Sequence, residues 1–167
     1  ATFDGTKPLK SGRFTINDYH AQNRILTTPE VFMHSSNIGS ALMGQAVGTD
    51  GLREFYTDLG LLDPMDISLR EVGKPLVPNP WRDVSTLTAA YGHGLSTTPL
   101  QAVAAVASIV NGGLLVRPKL IIDEQKPHTY PKRVISEKTS DQMRGLMRLV
   151  VSDGTGEKAD VPGYELG

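Results

Sequence analysis

Apolar positions along the chain fall into three helical patterns. Leu52, Phe55, Tyr56 and Leu59 stand at i, i+3, i+4 and i+7. That spacing predicts a helix capped by Asp50, closed by Gly60 and packed on the core through this face. Met143, Leu146, Met147 and Val150 form a second stripe, on a last helix that Ser136 caps. Residues 100–110 are apolar almost all round, follow Thr98-Pro99 and stop at Asn111-Gly112-Gly113, which predicts a buried central helix. Thr28-Pro29 repeats that opening, with Thr28 as N-cap and proline where its missing N–H costs nothing. The helix it predicts runs to about His34, and another covers residues 38–47, ending at Gly48.

Between these helices the pattern breaks. Residues 1–27 carry the turn formers Gly5, Pro8 and Gly12 and read as an irregular segment with one short strand. The prolines at 64, 75, 78 and 80 make residues 61–82 a long loop. Residues 114–122 and 132–135 are rich in β-formers and predict a hairpin across the polar stretch 123–130. The expected architecture is mainly α with a short β-hairpin, in one compact unit of 167 residues.

Composition narrows the function classes more than the fold. A net charge of −1, with Lys and Arg scattered, supplies no field for nucleic acid or anionic lipid. The absence of cysteine removes disulfides, thiolate metal sites and a cysteine nucleophile. Four dispersed histidines show no zinc-ligand spacing. The longest apolar run falls far short of the about 20 residues a spanning helix needs. With Ala1 at one end and Gly167 at the other, both ends look cut from something longer.

The candidate chemistry is Ser35-Ser36-Asn37, between the helices expected to end near His34 and to begin at Ile38. S-x-N is one of three motifs of a penicillin-reactive serine site, beside S-x-x-K and K-[ST]-G. No serine here has lysine three places on, and no Lys-Thr-Gly or Lys-Ser-Gly occurs. In such a motif the first hydroxyl passes a proton and the asparagine amide, with two donors and an acceptor in one plane, holds partners. Ser36 should point the other way. The tripeptide alone reads equally well as a polar helix junction, because Ser and Asn favour caps and turns. Lys138-Thr139-Ser140 imitates K-T-G but reads as an exposed helix start. Asp153-Gly154-Thr155-Gly156 reads as a connector, Trp81 as an anchor for the long loop, and His20 and His34 as structural residues.

The surroundings settle which reading of the tripeptide to prefer. Phe14-Thr15-Ile16-Asn17-Asp18-Tyr19-His20, Thr28-Pro29-Glu30-Val31-Phe32-Met33-His34-Ser35-Ser36-Asn37-Ile38-Gly39 and Tyr91-Gly92-His93-Gly94-Leu95-Ser96-Thr97-Thr98-Pro99 closely resemble class B penicillin-binding proteins. These are the monofunctional peptidoglycan transpeptidases, and the resemblance points to the cell-division type. It implies the helical part of the penicilloyl serine transferase fold, an α+β fold of the β-lactamase and transpeptidase kind. Residues 1–167 would be a partial transpeptidase domain, with S-x-x-K before Ala1 and K-T-G soon after Gly167.

By the same resemblance Ser35 and Asn37 are the catalytic residues carried over. Tyr91 and His93 border the substrate cleft, His93 standing where the family usually has an aromatic residue. The implied partners are D-Ala-D-Ala stem peptides, β-lactams and other cell-division or cell-wall proteins. No metal or organic cofactor is implied. The implied location is the periplasm, with the parent anchored in the inner membrane. The chain alone, lacking nucleophile and base, is expected to be inactive and to self-associate through exposed apolar faces. The alternatives are a non-catalytic scaffold or partner-binding module of the same fold and a serine β-lactamase; no deacylating glutamate loop is recognisable to support the latter.

Overall fold

The computed structural model describes residues 1–120 and 131–167. The elements run β1 (Thr2–Asp4), β2 (Leu9–Ser11), β3 (Phe14–Ile16), β4 (Ile25–Thr27), α1 (Thr28–Met33), α2 (Asn37–Val47) and α3 (Thr49–Asp58). They continue with α4 (Asp83–Ala89), α5 (Pro99–Val110), β5 (Leu114–Leu115), β6 (Lys132–Arg133), α6 (Glu137–Asp153) and a 3₁₀ turn, Glu157–Ala159. Mainly helical content with short antiparallel pairs is the expected composition of the fold. Among the described residues no helix is long and apolar enough to cross a membrane.

Two compact units share the chain. The first comprises Ala1–Leu52, Pro78–Gly94 and Arg144–Gly167; the second comprises Arg53–Val77 and Leu95–Met143. Within the first, the stretch expected to hold one strand forms two antiparallel pairs, β1 with β4 and β2 with β3. The turn residues that made it look irregular are the connections, and strands of three residues are too short for a period-2 signal. Pairing Asp4 with Ile25 and Thr2 with Thr27 delivers the chain into α1 at a fixed point.

The helix starts one residue earlier than Thr28-Pro29 suggested. Thr27 is the N-cap, and its N–H and hydroxyl both donate to the Glu30 carboxylate, at 2.8 and 2.7 Å. That shift keeps proline within the first turn. Likewise Asp50 lies in the first turn of α3 rather than capping it. The core of this unit is Ile16, Ile38, Ala41 and Leu87, with Leu9, Leu42 and Tyr91 against it. Helices α2 and α4 meet at Gly44, where a Cβ would stand 2.5 Å from that of Ala90. Helix α4 gave no periodic stripe; its buried residues are Thr86, Leu87 and Ala89. Thr86 accepts a hydrogen bond from the Trp81 indole at 2.9 Å, so Trp81 does tie down the end of the proline-rich loop.

The second unit overturns one expectation outright. Helix α5 is not buried all round: its inward residues are Gln101, Ala104, Ala105 and Ser108, while Val103 is 64% exposed and Val106 49%. Small and polar residues face in because they allow close packing and, for Gln101, hydrogen bonding. The Gln101 amide donates to Gly60 O (2.7 Å) and Asp63 O (2.8 Å), stitching the proline-rich loop to the helix. Apolarity all round a helix therefore did not distinguish the inner face from the outer one.

Strands β5 and β6 pair antiparallel, Leu114 with Arg133 and Leu115 with Lys132, but over two residues each: 116–120 and 134–135, expected as strand, are not. The part of that expectation on residues 121–130 lies outside the described residues. Lys138-Thr139-Ser140 forms the first turn of α6, not an edge strand. Contrary to the exposed start expected, Ser140 is fully buried: its hydroxyl donates to Ile109 O and accepts from Gly112 N–H.

Candidate functional site

Helix α1 ends by design of its backbone. His34 is its C-cap, with its N–H bonded back to Glu30 O, and Ser35 N–H returns to Phe32 O at 3.1 Å. Ser35 then takes φ +52°, the left-handed region that a non-glycine residue enters at a cost of about 1–2 kcal/mol. The chain reverses there, and Ser36 becomes the N-cap of α2, its hydroxyl accepting from Gly39 N–H at 2.9 Å. Gly39 can approach because it has no Cβ; one would sit 2.4 Å from a Val31 methyl.

This turn sorts the three motif residues. Ser36 is buried, Ser35 is exposed and Asn37 is half-buried. Ser36 therefore does point the other way, into the junction, where its hydroxyl donates to Asp18 at 2.8 Å. Ser35 and Asn37 line one cavity of about 340 Å³ together with Tyr19, His20, His34 and Thr155. Asn37 Nδ2 donates to Asn17 O at 2.9 Å, which fixes the amide plane and leaves a second N–H and Oδ1 for a ligand. Among the described residues no hydrogen bond holds the Ser35 hydroxyl.

Four of the six lining residues were not singled out by sequence as cleft residues. Tyr19 and His20 make an edge-to-face pair, centroids 4.5 Å apart, on the cavity wall, with Tyr19 91% exposed. His34 lines the wall too; among the described residues its buried Nε2 has no hydrogen-bond partner. Thr155 arrives through the small-residue connector, whose Gly154 would place a Cβ 2.6 Å from Met33 O and whose Thr155 N–H donates to that carbonyl. The connector thus reaches the site because its residues are small, a signal the sequence displayed as Gly-Thr-Gly.

Tyr91 and His93 are not among the residues lining this cavity. Their rings stack at 6.1 Å with an interplanar angle of 11°, on the turn after α4, and Tyr91 also packs on the core. Positive φ at Gly92 and Gly94, +81° and +83°, makes that turn.

The largest electrostatic perturbation among these segments is at the start of α1. Bonds from the Thr27 backbone N–H and hydroxyl, then the Arg24 guanidinium at 2.7 Å, hold the Glu30 carboxyl down at about 2. The start of α1 is thereby locked, and with it the frame that delivers Ser35. No lysine lines the cavity, which presents the Ser35 hydroxyl and the oriented Asn37 amide without an ammonium partner. Among the described residues no cluster of three His, Asp or Glu side chains could hold a metal ion.

An S-x-N turn on a helical scaffold defines a class, and comparison with known proteins agrees. The penicillin binding protein transpeptidase domain family matches residues 2–167, and the chain belongs to it. It is 41% identical over 172 residues to a protein named probable peptidoglycan D,D-transpeptidase FtsI from Caulobacter vibrioides, covering all of this chain and 29% of that protein. It is 36% identical over 151 residues to stage V sporulation protein D of Bacillus subtilis, covering 83% of this chain and 23% of that one. The apo transpeptidase domain of Burkholderia pseudomallei penicillin-binding protein 3 superposes with a TM-score of 0.87 at 27% identity, over 99% of this chain and 51% of that one. The chain spans less than a third of the length of these two curated relatives. The resemblance seen in the sequence is borne out, and the fold is that of the penicillin-binding transpeptidases.

Proposed function

We propose that the chain is the S-x-N-bearing part of a peptidoglycan cross-linking D,D-transpeptidase, completed elsewhere in the protein by an S-x-x-K serine and a K-T-G strand. The serine oxygen attacks the carbonyl of the penultimate D-Ala of a stem peptide. The C–N bond breaks, and terminal D-Ala leaves as an amine that must take up a proton. An amine of a second stem then attacks the ester, its C–O bond breaks, and the serine regains its proton. Ser35 passes protons between serine and leaving or entering nitrogen, and the free side of the Asn37 amide holds the lysine and the substrate carbonyl. β-Lactams acylate the same serine.

The observation that carries this reading is the left-handed turn at Ser35, which puts its hydroxyl and the Asn37 amide in one cavity while Ser36 is buried. A scaffold needs no such strained serine. Tyr91 and His93 retain a role in this reading as a border of the wider cleft, contacting substrate rather than transferring protons. The parent works in the periplasm, anchored in the inner membrane, beside other cell-wall proteins. The chain by itself carries no acylation activity and self-associates through faces such as Val103 and Val106; a monomer by light scattering would refute that part.

Labelling with a fluorescent penicillin tests the main claim. The parent should form a stable adduct, Ser35→Ala and Asn37→Ala should slow it by about 10²-fold or more, and the isolated chain should form none. A stable adduct on the isolated chain would overturn the division of parts.

A further inference from the structure

The groups that hold Ser35 and Asn37 in place converge on one side chain from a different segment. Asp18, half-buried after β3, uses both carboxylate oxygens on the start of α2: Oδ2 accepts from Ser36 Oγ at 2.8 Å and Oδ1 accepts from Ile38 N–H at 2.9 Å. The residue before it accepts from Asn37 Nδ2 through Asn17 O at 2.9 Å. Ser36 Oγ passes the connection on by accepting from Gly39 N–H. Segment 17–18 therefore bonds every residue from Ser36 to Ile38, and through Ser36 it reaches Gly39.

Ser35 sits between this clamp and the end of α1. Behind it, Ser36 N–H returns to Val31 O at 3.0 Å. Ahead of it, the Asp18 carboxylate pins the N-cap and the Ile38 N–H, one of the free donors in the first turn of α2, where a negative charge also complements the helix dipole. A residue at φ +52° keeps that conformation only where its surroundings over-determine it. Asp18 contributes the downstream half of that determination, from 17 residues away in sequence, and its own side chain is not among the residues lining the cavity.

We propose that Asp18 is a positioning residue of the transpeptidase site: it acts through Ser36, Ile38 and the adjoining Asn17–Asn37 bond to set where the Ser35 hydroxyl and the Asn37 amide stand. This rests on the transpeptidase reading and adds a residue to it. It touches neither substrate nor the reacting atoms. Its removal alters the alignment of the proton-passing hydroxyl rather than the affinity of the cleft.

The test uses the full-length parent and stopped-flow acylation by a fluorescent penicillin, which separates the half-saturating concentration from the limiting acylation rate. Asp18→Ala should lower the limiting rate at least about tenfold, as a displacement of a reacting group does, with half-saturation changed by less than about twofold. Asp18→Asn keeps an acceptor for Ile38 N–H and should restore most of the rate. Ser36→Ala, which removes only the Oδ2 contact and the cap, should fall between. A folded Asp18→Ala enzyme whose limiting rate lies within about twofold of the parent's overturns the proposal, and so does a loss that merely tracks the fraction of protein folded. If Asp18→Ala does not fold, Ser36→Ala decides: a folded Ser36→Ala enzyme whose limiting rate lies within about twofold of the parent's overturns the proposal. Labelling of the parent that is absent, or indifferent to Ser35→Ala and Asn37→Ala, overturns the transpeptidase reading and this inference with it; an Asp18 result alone overturns only the inference.

Discussion

Helices α1 and α5 open with the same code and end in opposite ways. Each has a threonine cap, a proline in the first turn and an acceptor three residues after the cap: Thr27 with Glu30, and Thr98 with Gln101. At α1 the acceptor is a charged carboxylate that stays near solvent and gathers an arginine. At α5 it is a neutral amide, 1% exposed, with enough donors left to bond two carbonyls of the proline-rich loop. Burial of an ion would be costly; burial of a fully bonded amide is not. The exits differ as well: α5 leaves through Gly112 and Gly113, at φ +92° and +91°, whereas α1 leaves through a serine in the same left-handed region. Glycine makes the turn without strain; serine at that place keeps a hydroxyl on the cavity.

The contrast predicts where substitutions hurt. Gln101→Leu, close in volume but without the amide, should cost the most, about 3 kcal/mol in urea unfolding, because the carbonyls of Gly60 and Asp63 lose their donor and the cap its partner. A cost under about 1 kcal/mol would mean the buried amide is not what holds the loop. Gly39→Ala should follow at about 2 kcal/mol, since the new methyl meets Val31 at 2.4 Å where α2 passes α1. Ser35→Gly should act in the other direction. Releasing the left-handed serine should stabilise the fold slightly, by about 0.5 kcal/mol net of glycine's unfolded-state entropy, while acylation of the parent collapses. A loss of stability there would show that Ser35 is not strained.

The smallest effect separates the two caps by pH. Glu30 is held at about 2 against an ordinary 4.5, so its contribution is present above 4.5 and is lost as pH falls from 4.5 toward 2. Gln101 does not titrate. Protection of the α1 amides, referred to the intrinsic exchange rate at each pH, should therefore fall across that window while that of the α5 cap is unchanged, and Glu30→Gln should flatten the α1 response. An equal fall in protection at both helices would refute the distinction.

Much of the helical layout was legible because capping and periodicity are local. Leu52, Phe55 and Tyr56 lie on the less exposed face of α3, buried Leu59 follows its end, and Thr98 does cap α5. Ser35 and Asn37 were legible because a three-residue motif is local too. Tyr19, His20, His34 and Thr155 were not, since what brings them to the cavity is the β-pairing of the first 27 residues and the tuck of Gly154 beneath Met33 O.

The sequence by itself determined the family, the cap of α5, the start of α1 to within one residue and the alternation of the motif, since each depends on chemistry within about one turn of helix. Tertiary structure alone decided which face of α5 is inner, that Ser140 is buried, and that Asp18 grips the start of α2. Those outcomes depend on groups tens of residues apart meeting in space, and neither spacing nor composition encodes the meeting.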